Sequence, residues 1–347
     1  IFIASYASDG TEQWIKTIEG VPDNQKATLK LYAMESDGSG NIYLMGEADK
    51  TFYYQGDTLM VGGGFFILIL DSSGQFIELL EDFSNAALAA SLTGLGASSD
   101  GILNLSDIAV SAQGELYVSF SLSGFFNFNS TTYEGIADPF GFDEGISDPL
   151  VVKYDNQRNV EWVVHGKSDW NEFAFKDDKT LEIKLDDQNN LILAGVFRRE
   201  TSFDKGLLFP GLAREDSDQR GQGIFIVKIN DAGSVQWIKL FTDDTPTEFT
   251  SVFRHEQLDD LITDGSDILL AINFSDDITI DGIRFDNPLA SNGGTPYTGN
   301  IVIRLDQNGD LIWSNLFTVG NANTQIAHNP LNGLTTLLGR YDEVSFP

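Results

Sequence analysis

Acidic residues recur at a matching place in repeated segments of this chain. Aligning the hairpin turns that follow those segments places five residues in one register: Ala33, Asp107, Glu182, Asp259 and Ile326. Three carboxylates converging on one axis would hold a cation such as Ca²⁺, or would serve as the acid and base of glycoside hydrolysis. Solvation of a central channel is the third interpretation. A slip of one residue would move the acids to the opposite face of their strands.

A long acidic loop and one tryptophan are further candidates. The loop 138–148, DPFGFDEGISD, contains four acids: Asp138, Asp143, Glu144 and Asp148. Loops on rigid scaffolds often carry binding residues, so this loop would be calcium-stabilised or would contact a partner. Trp170 lies outside the register of the other repeated tryptophans, which favours an exposed contact. A solvated loop without a ligand is the alternative.

Composition excludes several classes of function. The net charge is −31, which repels phosphate backbones and anionic membranes, so we expect no nucleic-acid partner. The chain has no cysteine, which excludes thiolate chemistry and Cys-ligated zinc, and its three histidines lie at unrelated places in the repeat. No apolar stretch is long enough to span a bilayer, so we expect no membrane insertion.

The elements that must position the acids are predicted by an internal repeat. Residues 299–317, GNIVIRLDQNGDLIWSNLF, indicate two strands joined by a tight turn. Similar sequence segments occur at 1–18, 64–83, 149–166 and 223–241. In four copies a tryptophan follows the turn: Trp14, Trp162, Trp237 and Trp313. Glu78 stands there in the fifth copy. We expect these tryptophans to pack between neighbouring repeat units, with a sugar-binding platform as the alternative.

A second strand pair precedes each copy, at 31–48, 105–122, 181–197, 261–274 and 326–341. Gly46, Gly195 and Gly339 share a register there, and a short β-like piece such as 201–203 follows. Two pairs per unit give four strands, which predicts one blade of a β-propeller. The turn acids Asp71, Asp155, Asp231 and Asp306 are expected to cap their own turns.

Counting strands predicts an all-β, single-domain propeller of five four-stranded blades. The blades are expected at about 19–83, 84–166, 167–241 and 242–317, with a closing blade formed by 318–347 plus 1–18. Residues 1–18 would pair beside 334–346 and shut the ring, which removes exposed sheet edges. Because the chain starts and stops at the same point of the repeat, we also expect it to be part of a longer chain.

At these motifs the chain resembles the SBBP family of bacterial β-propeller repeats. The matches are the turn and tryptophan at 306–313, the strand at 40–46, the short piece at 201–203 and the strand at 224–229. The departures are Glu78 for tryptophan, Arg158 for the turn glycine and Ile272 for the strand glycine. The resemblance implies a secreted or cell-surface bacterial protein with a binding or scaffold role.

Three functions remain open from the sequence. The first is a non-catalytic binding or scaffold module for a protein or glycan at the cell surface. The second is a carbohydrate-active enzyme that uses Asp107, Glu182 and Asp259. The third is a structural subunit that assembles with its own copies through divided blades.

Overall fold

The architecture is that of a computed structural model, and every structural statement below concerns the residues it describes. These are 1–20, 29–48, 51–60, 64–80, 103–122, 125–128, 131–134, 148–168, 179–197, 201–203, 207–208, 223–241, 257–274, 277–280, 282–286, 299–319, 324–329, 334–339 and 344–345. All regular structure in them is β. None of these residues forms a helix long and apolar enough to cross a membrane.

Five antiparallel sheets of at least four strands follow one another along the chain, numbered here I to V. Sheet I contains β1 (Phe2–Tyr6), β2 (Glu12–Gly20), β5 (Phe52–Tyr54) and β6 (Asp57–Met60). Sheet II contains β3 (Leu29–Ser36), β4 (Ile42–Ala48), β7 (Gly64–Leu70) and β8 (Phe76–Leu80). Sheet III contains β9 (Leu103–Val110), β10 (Leu116–Leu122), β13 (Asp148–Tyr154) and β14 (Val160–Ser168), extended by β17 (Thr201–Phe203) and β18 (Leu207–Leu208).

Sheets IV and V repeat the same order. Sheet IV contains β15 (Lys179–Leu185), β16 (Leu191–Phe197), β19 (Gly223–Ile229) and β20 (Val235–Phe241). Sheet V contains β21 (Gln257–Asp264), β22 (Asp267–Phe274), β25 (Gly299–Leu305) and β26 (Leu311–Val319), extended by β29 (Val344–Ser345). Separate pairs are β11 (Phe125–Phe128) with β12 (Thr131–Glu134), β23 (Ile278–Ile280) with β24 (Ile283–Phe285), and β27 (Thr324–Asn329) with β28 (Leu334–Gly339).

In sheets II to V the strands run A, B, C, D in chain order. The B and C strands lie in the middle and are mostly apolar, as in β10 and β19, where every residue is buried. The A and D strands carry more polar residues; β3, for example, alternates half-buried and exposed side chains. Continuous apolar runs in the middle strands indicate that both faces of each sheet are covered.

The covering surfaces are the neighbouring sheets. One apolar cluster joins sheets I and II, a second joins II and III, a third joins III and IV, and a fourth joins IV and V. A fifth, smaller cluster joins sheet V to β27 through Ile326. The sheets therefore form one continuous stack with a core in every gap.

Two of the short β-like pieces predicted after the B strands cover the outer edge of the preceding sheet: β5 pairs with β2, and β17 with β14. β29 adds to β26 in the same way, whereas β11 and β23 pair with β12 and β24 in the described strands. Sheet I becomes four-stranded in this way. A D strand that would otherwise leave its backbone unpaired is thus protected.

The predicted ring closure is not observed in the described strands. β1 pairs only with β2, and β28 pairs only with β27. Within the predicted 334–346 segment, β29 lies on β26 rather than beside β1. The repeated four-stranded sheets are confirmed, whereas the shared closing blade remains a prediction.

Candidate functional site

The A strands of successive sheets lie against one another: β3 contacts β9, β9 contacts β15, β15 contacts β21, and β21 contacts β27. In each of β3, β9, β15 and β21 the ladder to strand B shifts by one residue. The residue that follows the shift is Ala33, Asp107, Glu182 or Asp260.

The sequence alignment therefore slipped by one residue in sheet V. Asp260, opposite Ala271, occupies the place of Asp107 and Glu182, and Asp259 is the skipped residue of the bulge. In β27 the equivalent residue is Gln325, opposite Leu338, rather than Ile326. The reason is the length of the turn: five residues separate the paired Ser36 and Ile42, whereas four separate the equivalent pair Thr263 and Ile268, so counting back from the B strand overshoots by one residue in sheet V.

Two of these acids bind the backbone of the next A strand. Asp107 accepts the N–H of Ile108 on Oδ1 at 2.9 Å and the N–H of Ile183, in sheet IV, on Oδ2 at 3.0 Å. Asp260 accepts the N–H of Leu261 on Oδ1 at 3.0 Å and the N–H of Ile326 on Oδ2 at 2.6 Å. Each carboxylate thus fastens its own sheet to the following one.

Glu182 lies between these two acids in the row. Burial, together with the charges of Asp260 and Asp107, raises its pKa to about 8, and the N–H of Leu261 opposes that shift. Its Oε2 atom is buried without a hydrogen-bond partner. Burial likewise raises the pKa of Asp107, and Lys184 opposes the shift. A pKa of about 8 favours the protonated form of Glu182 at neutral pH.

Asp259 occupies a separate polar pocket. Its Oδ2 accepts the N–H of Thr324 at 2.9 Å, while its Oδ1 is buried and has no hydrogen-bond partner. Burial raises its pKa to about 6, the Thr324 N–H lowers it, and the Asp260 charge raises it further. Of the three acids predicted from the sequence, Asp107 and Glu182 thus lie in the row along the A strands, whereas Asp259 lies in this pocket.

A lysine connects A strands that are not neighbours. The Lys184 ammonium, on β15, lies 2.9 Å from the Glu35 carboxylate on β3 and 3.8 Å from Asp107 on the strand between them. Burial lowers the pKa of Lys184, but Asp107 and Glu35 outweigh it, so the pKa is raised overall. The A strands therefore carry a row of acidic side chains, with Lys184 as the cation beside Glu35 and Asp107.

The repeated tryptophans bind the turn of the next sheet. The indole N–H of Trp14 donates to the Ser72 carbonyl at 3.1 Å, that of Trp162 to Asp231 at 2.9 Å, and that of Trp237 to Gln307 at 3.0 Å. The ring also covers the turn glycine. A Cβ on Gly74, Gly233 or Gly309 would meet the ring at 3.2, 2.7 or 3.2 Å. The predicted packing between units is confirmed for these three tryptophans.

Two of the three departures from the repeat meet each other at the junction of sheets II and III. Glu78 replaces the tryptophan, Arg158 replaces the glycine, and their side chains are 3.3 Å apart. Arg158 also donates to the Gly114 carbonyl at 2.9 Å and lies over the Tyr43 ring. An ion pair thus replaces the ring-on-glycine contact, while Arg158 keeps the positive φ of 69°.

Turn capping by aspartate is confirmed at Asp71, Asp155 and Asp306, whose Oδ1 atoms accept two turn N–H groups each. In sheet IV, Asn230 caps instead. Asp231 is one residue further on and binds the buried Lys153 of sheet III at 2.6 Å. Lys153 also binds Glu115 and Glu161, at 3.0 and 2.9 Å, which gives a buried cation with three acids.

Of the five candidates in the acidic loop and at Trp170, the structure describes one, Asp148. Asp138, Asp143, Glu144 and Trp170 lie outside the described residues. Asp148 is fully buried at the start of β13, 3.6 Å from the His165 ring. Within the described part of the chain no group of three acids or histidines could hold a metal ion.

No protein-family model matches the chain, and no curated protein matches it either. The likeness to bacterial propeller repeats therefore rests on the motifs alone. The chain is an all-β protein of repeated four-stranded antiparallel sheets. Side chains at fixed places of the repeat join each sheet to the next.

Proposed function

We propose that the chain is a non-catalytic scaffold of the β-propeller type, secreted or displayed at the cell surface, which presents loops to a protein or glycan partner. The finer fold we propose is five blades: sheets II to V, and a fifth blade made from β27–β28 and β1–β2. The resemblance to bacterial propeller repeats supports the extracellular address.

Curvature of the stack supports the propeller arrangement. Sheets packed face to face are about 10 Å apart, so sheets II and IV would be about 20 Å apart in a straight stack. A lysine and a glutamate side chain together do not reach that far. The 2.9 Å contact of Lys184 with Glu35 brings β15 and β3 closer than a straight stack would, which supports A strands that converge on an axis.

The observation that carries the scaffold function is the use made of the acids. Both oxygens of Asp107 and of Asp260 accept backbone N–H groups, one of them from the next sheet. A catalytic carboxylate needs an oxygen directed at its substrate. These side chains instead bind neighbouring sheets together.

Thermal unfolding tests this assignment. Asp260→Asn puts an amide NH₂ against one of two backbone N–H groups, and we expect a loss of about 1.5–3 kcal/mol, the usual range for a bond to a charged group. Asp187→Asn, at an exposed acid of sheet IV, is the matched control and should be near neutral. Replacing a catalytic acid commonly leaves stability unchanged or raises it, so a stabilised Asp260→Asn variant would contradict the proposal.

A glycoside hydrolase is the second candidate, and one observation favours it. Glu182 is protonated at neutral pH and lies beside ionisable acids, which is the pairing that general acid catalysis requires. In that mechanism Glu182 would protonate the glycosidic oxygen, and Asp107 or Asp260 would act as base or nucleophile.

A panel of chromogenic glycosides separates the two functions. We expect the parent protein to release no chromophore above background between pH 5 and 8. Turnover by the parent that is lost in Glu182→Gln, with the fold unchanged by circular dichroism, would establish the enzyme and overturn the scaffold. A glycan and surface-protein binding array would then identify the partner class, and cell fractionation the address.

A further inference from the structure

A buried polar pocket between sheet V and β27 departs from the repeat. The side chains of Asp259, Asn273, Asn300 and Thr324 form it, and we call it the junction pocket. Asn300, Thr324 and Asn273 are exposed by only 2, 4 and 8%. Burying polar side chains costs free energy, so four of them at one place indicate a requirement other than packing.

The other sheets show that the scaffold does not need the asparagine pair. Asn273 on β22 pairs with Asn300 on β25. The pairs at the same place of the repeat are Glu47–Phe65 in sheet II, Ser121–Pro149 in sheet III and Val196–Ile224 in sheet IV. Among these four sheets, only sheet V has a polar residue on both strands.

Asp259 also departs from the repeat. The residues that the bulge skips in β3, β9, β15 and β21 are Tyr32, Ser106, Leu181 and Asp259, and only the last is charged. The Asp259 Oδ1 atom is buried and, within the described residues, has no hydrogen-bond partner. Burial and the Asp260 charge raise the pKa of Asp259 to about 6, which indicates that its negative charge is under-compensated.

The spacing of the pocket oxygens fits a calcium ion. Thr324 Oγ1 lies 3.4 Å from Asn300 Oδ1, which is long for a hydroxyl hydrogen bond. Two oxygens at this separation that bind one ion at right angles are each about 2.4 Å from it, a normal distance for Ca²⁺. Mg²⁺, at about 2.1 Å, would need them about 3.0 Å apart. The spacing therefore favours Ca²⁺ over Mg²⁺.

The remaining contacts hold these oxygens together. The Thr324 N–H donates to Asp259 Oδ2 at 2.9 Å, which keeps the carboxylate beside the Thr324 hydroxyl. The Asn273 amide donates to Asn300 Oδ1 at 3.2 Å and so orients that oxygen. A carboxylate, an amide and a hydroxyl oxygen are ligands that hard cations prefer, and water would complete the shell.

We propose that the junction pocket binds Ca²⁺ through Asp259 Oδ1, Asn300 Oδ1 and Thr324 Oγ1. The ion joins sheet V to β27, beside the bond from the Ile326 N–H to Asp260. A site with one carboxylate is weak, and we expect a Kd of about 0.1–1 mM, as in extracellular calcium modules. The proposal goes beyond the scaffold function and does not depend on whether the acids are catalytic.

Thermal unfolding of the calcium-free protein tests the site. By linkage, about 10 mM Ca²⁺ should raise the melting temperature by about 2–4 °C more than the same concentration of Mg²⁺ does. Mg²⁺ is the matched control, because it screens the −31 charge equally. Calorimetric titration with Ca²⁺ should give one site in the stated range.

The repeat supplies the variant that removes the site. Asn273→Val/Asn300→Ile copies the pair of sheet IV, so it should fold and should lose the difference between the two ions. Asp259→Asn should lose it too, which keeps the test decisive if the double variant does not fold. Asp310→Asn, at an acid of sheet V that is 73% exposed, is the matched control and should keep the full difference.

Two results would overturn the proposal. Equal melting temperatures of the parent in Ca²⁺ and Mg²⁺ would favour a trapped water as the partner of Asp259 Oδ1. A calcium effect that persists in full in Asp259→Asn, or that disappears in Asp310→Asn, would place the ion elsewhere. Neither result bears on Asp260→Asn or on glycoside turnover, so the two proposals fail separately.

Discussion

Alanine at Gly233 should destabilise the protein far more than alanine at Gly56. Both glycines have a left-handed backbone, with φ of +81° and +91°, so the conformational cost of a Cβ is similar, about 1–2 kcal/mol. They differ in surroundings. A Cβ at Gly233 would meet Trp162 Cγ at 2.7 Å, whereas a Cβ at Gly56 meets nothing within 4 Å.

The extra cost at Gly233 follows from displacement of the ring. Overpacking costs about 1–3 kcal/mol, and loss of the indole bond to the Asp231 carbonyl costs about 1 kcal/mol more. We therefore expect Gly233→Ala to lose roughly 2–4 kcal/mol beyond Gly56→Ala. Urea unfolding followed by tryptophan fluorescence and circular dichroism gives both values. Equal losses, with equal m-values, would refute the idea that the indole ring fixes the turn.

Three further perturbations test the same junctions. Trp162→Glu with Gly233→Arg, which copies the ion pair found between sheets II and III, should be more stable than the sum of the single changes predicts; a double-mutant cycle with no coupling would count against it. Lys153→Met removes a buried ammonium from three acids, of which Glu161 and Asp231 are 40 and 56% exposed, so it should cost about 1.5–3 kcal/mol. Lys239→Met, whose partner Asp310 is 73% exposed, should cost under about 1 kcal/mol in the same urea assay. Glu182 binds its proton more tightly in the folded protein, so the stability that this proton contributes is lost as the pH rises from about 5 to 8. Glu182→Gln should make the folding stability fall less over this range and should raise the melting temperature at pH 8. An unchanged dependence of stability on pH would contradict the assignment.

The repeat and its strands could be predicted from the sequence because they depend on local patterns. Turn residues and apolar runs located the C and D strands, and the spacing of tryptophan from the turn indicated a recurring contact. Packing of Trp14, Trp162 and Trp237 between units was predicted correctly for that reason.

The parts that could not be predicted depend on contacts between sheets. Asp260 rather than Asp259 is in line because the turn between the A and B strands of sheet V is one residue shorter, and the strand ends that define its length are set by pairing. Glu78 and Arg158 were both visible as departures, yet nothing local indicates that residues 80 positions apart meet. The staple role of Asp107 likewise appears only when β15 lies beside β9.

The Ile183 amide offers the most direct test that the repeated acids fasten neighbouring sheets. Its N–H donates to Asp107 Oδ2 in the preceding sheet, so its hydrogen exchange reports that single bond. In Asp107→Ala we expect Ile183 to exchange at least about tenfold faster, a change of about 1.4 kcal/mol, while Leu193 in the adjacent strand keeps its protection. Unchanged exchange at Ile183, in a variant that is otherwise folded, would contradict the account.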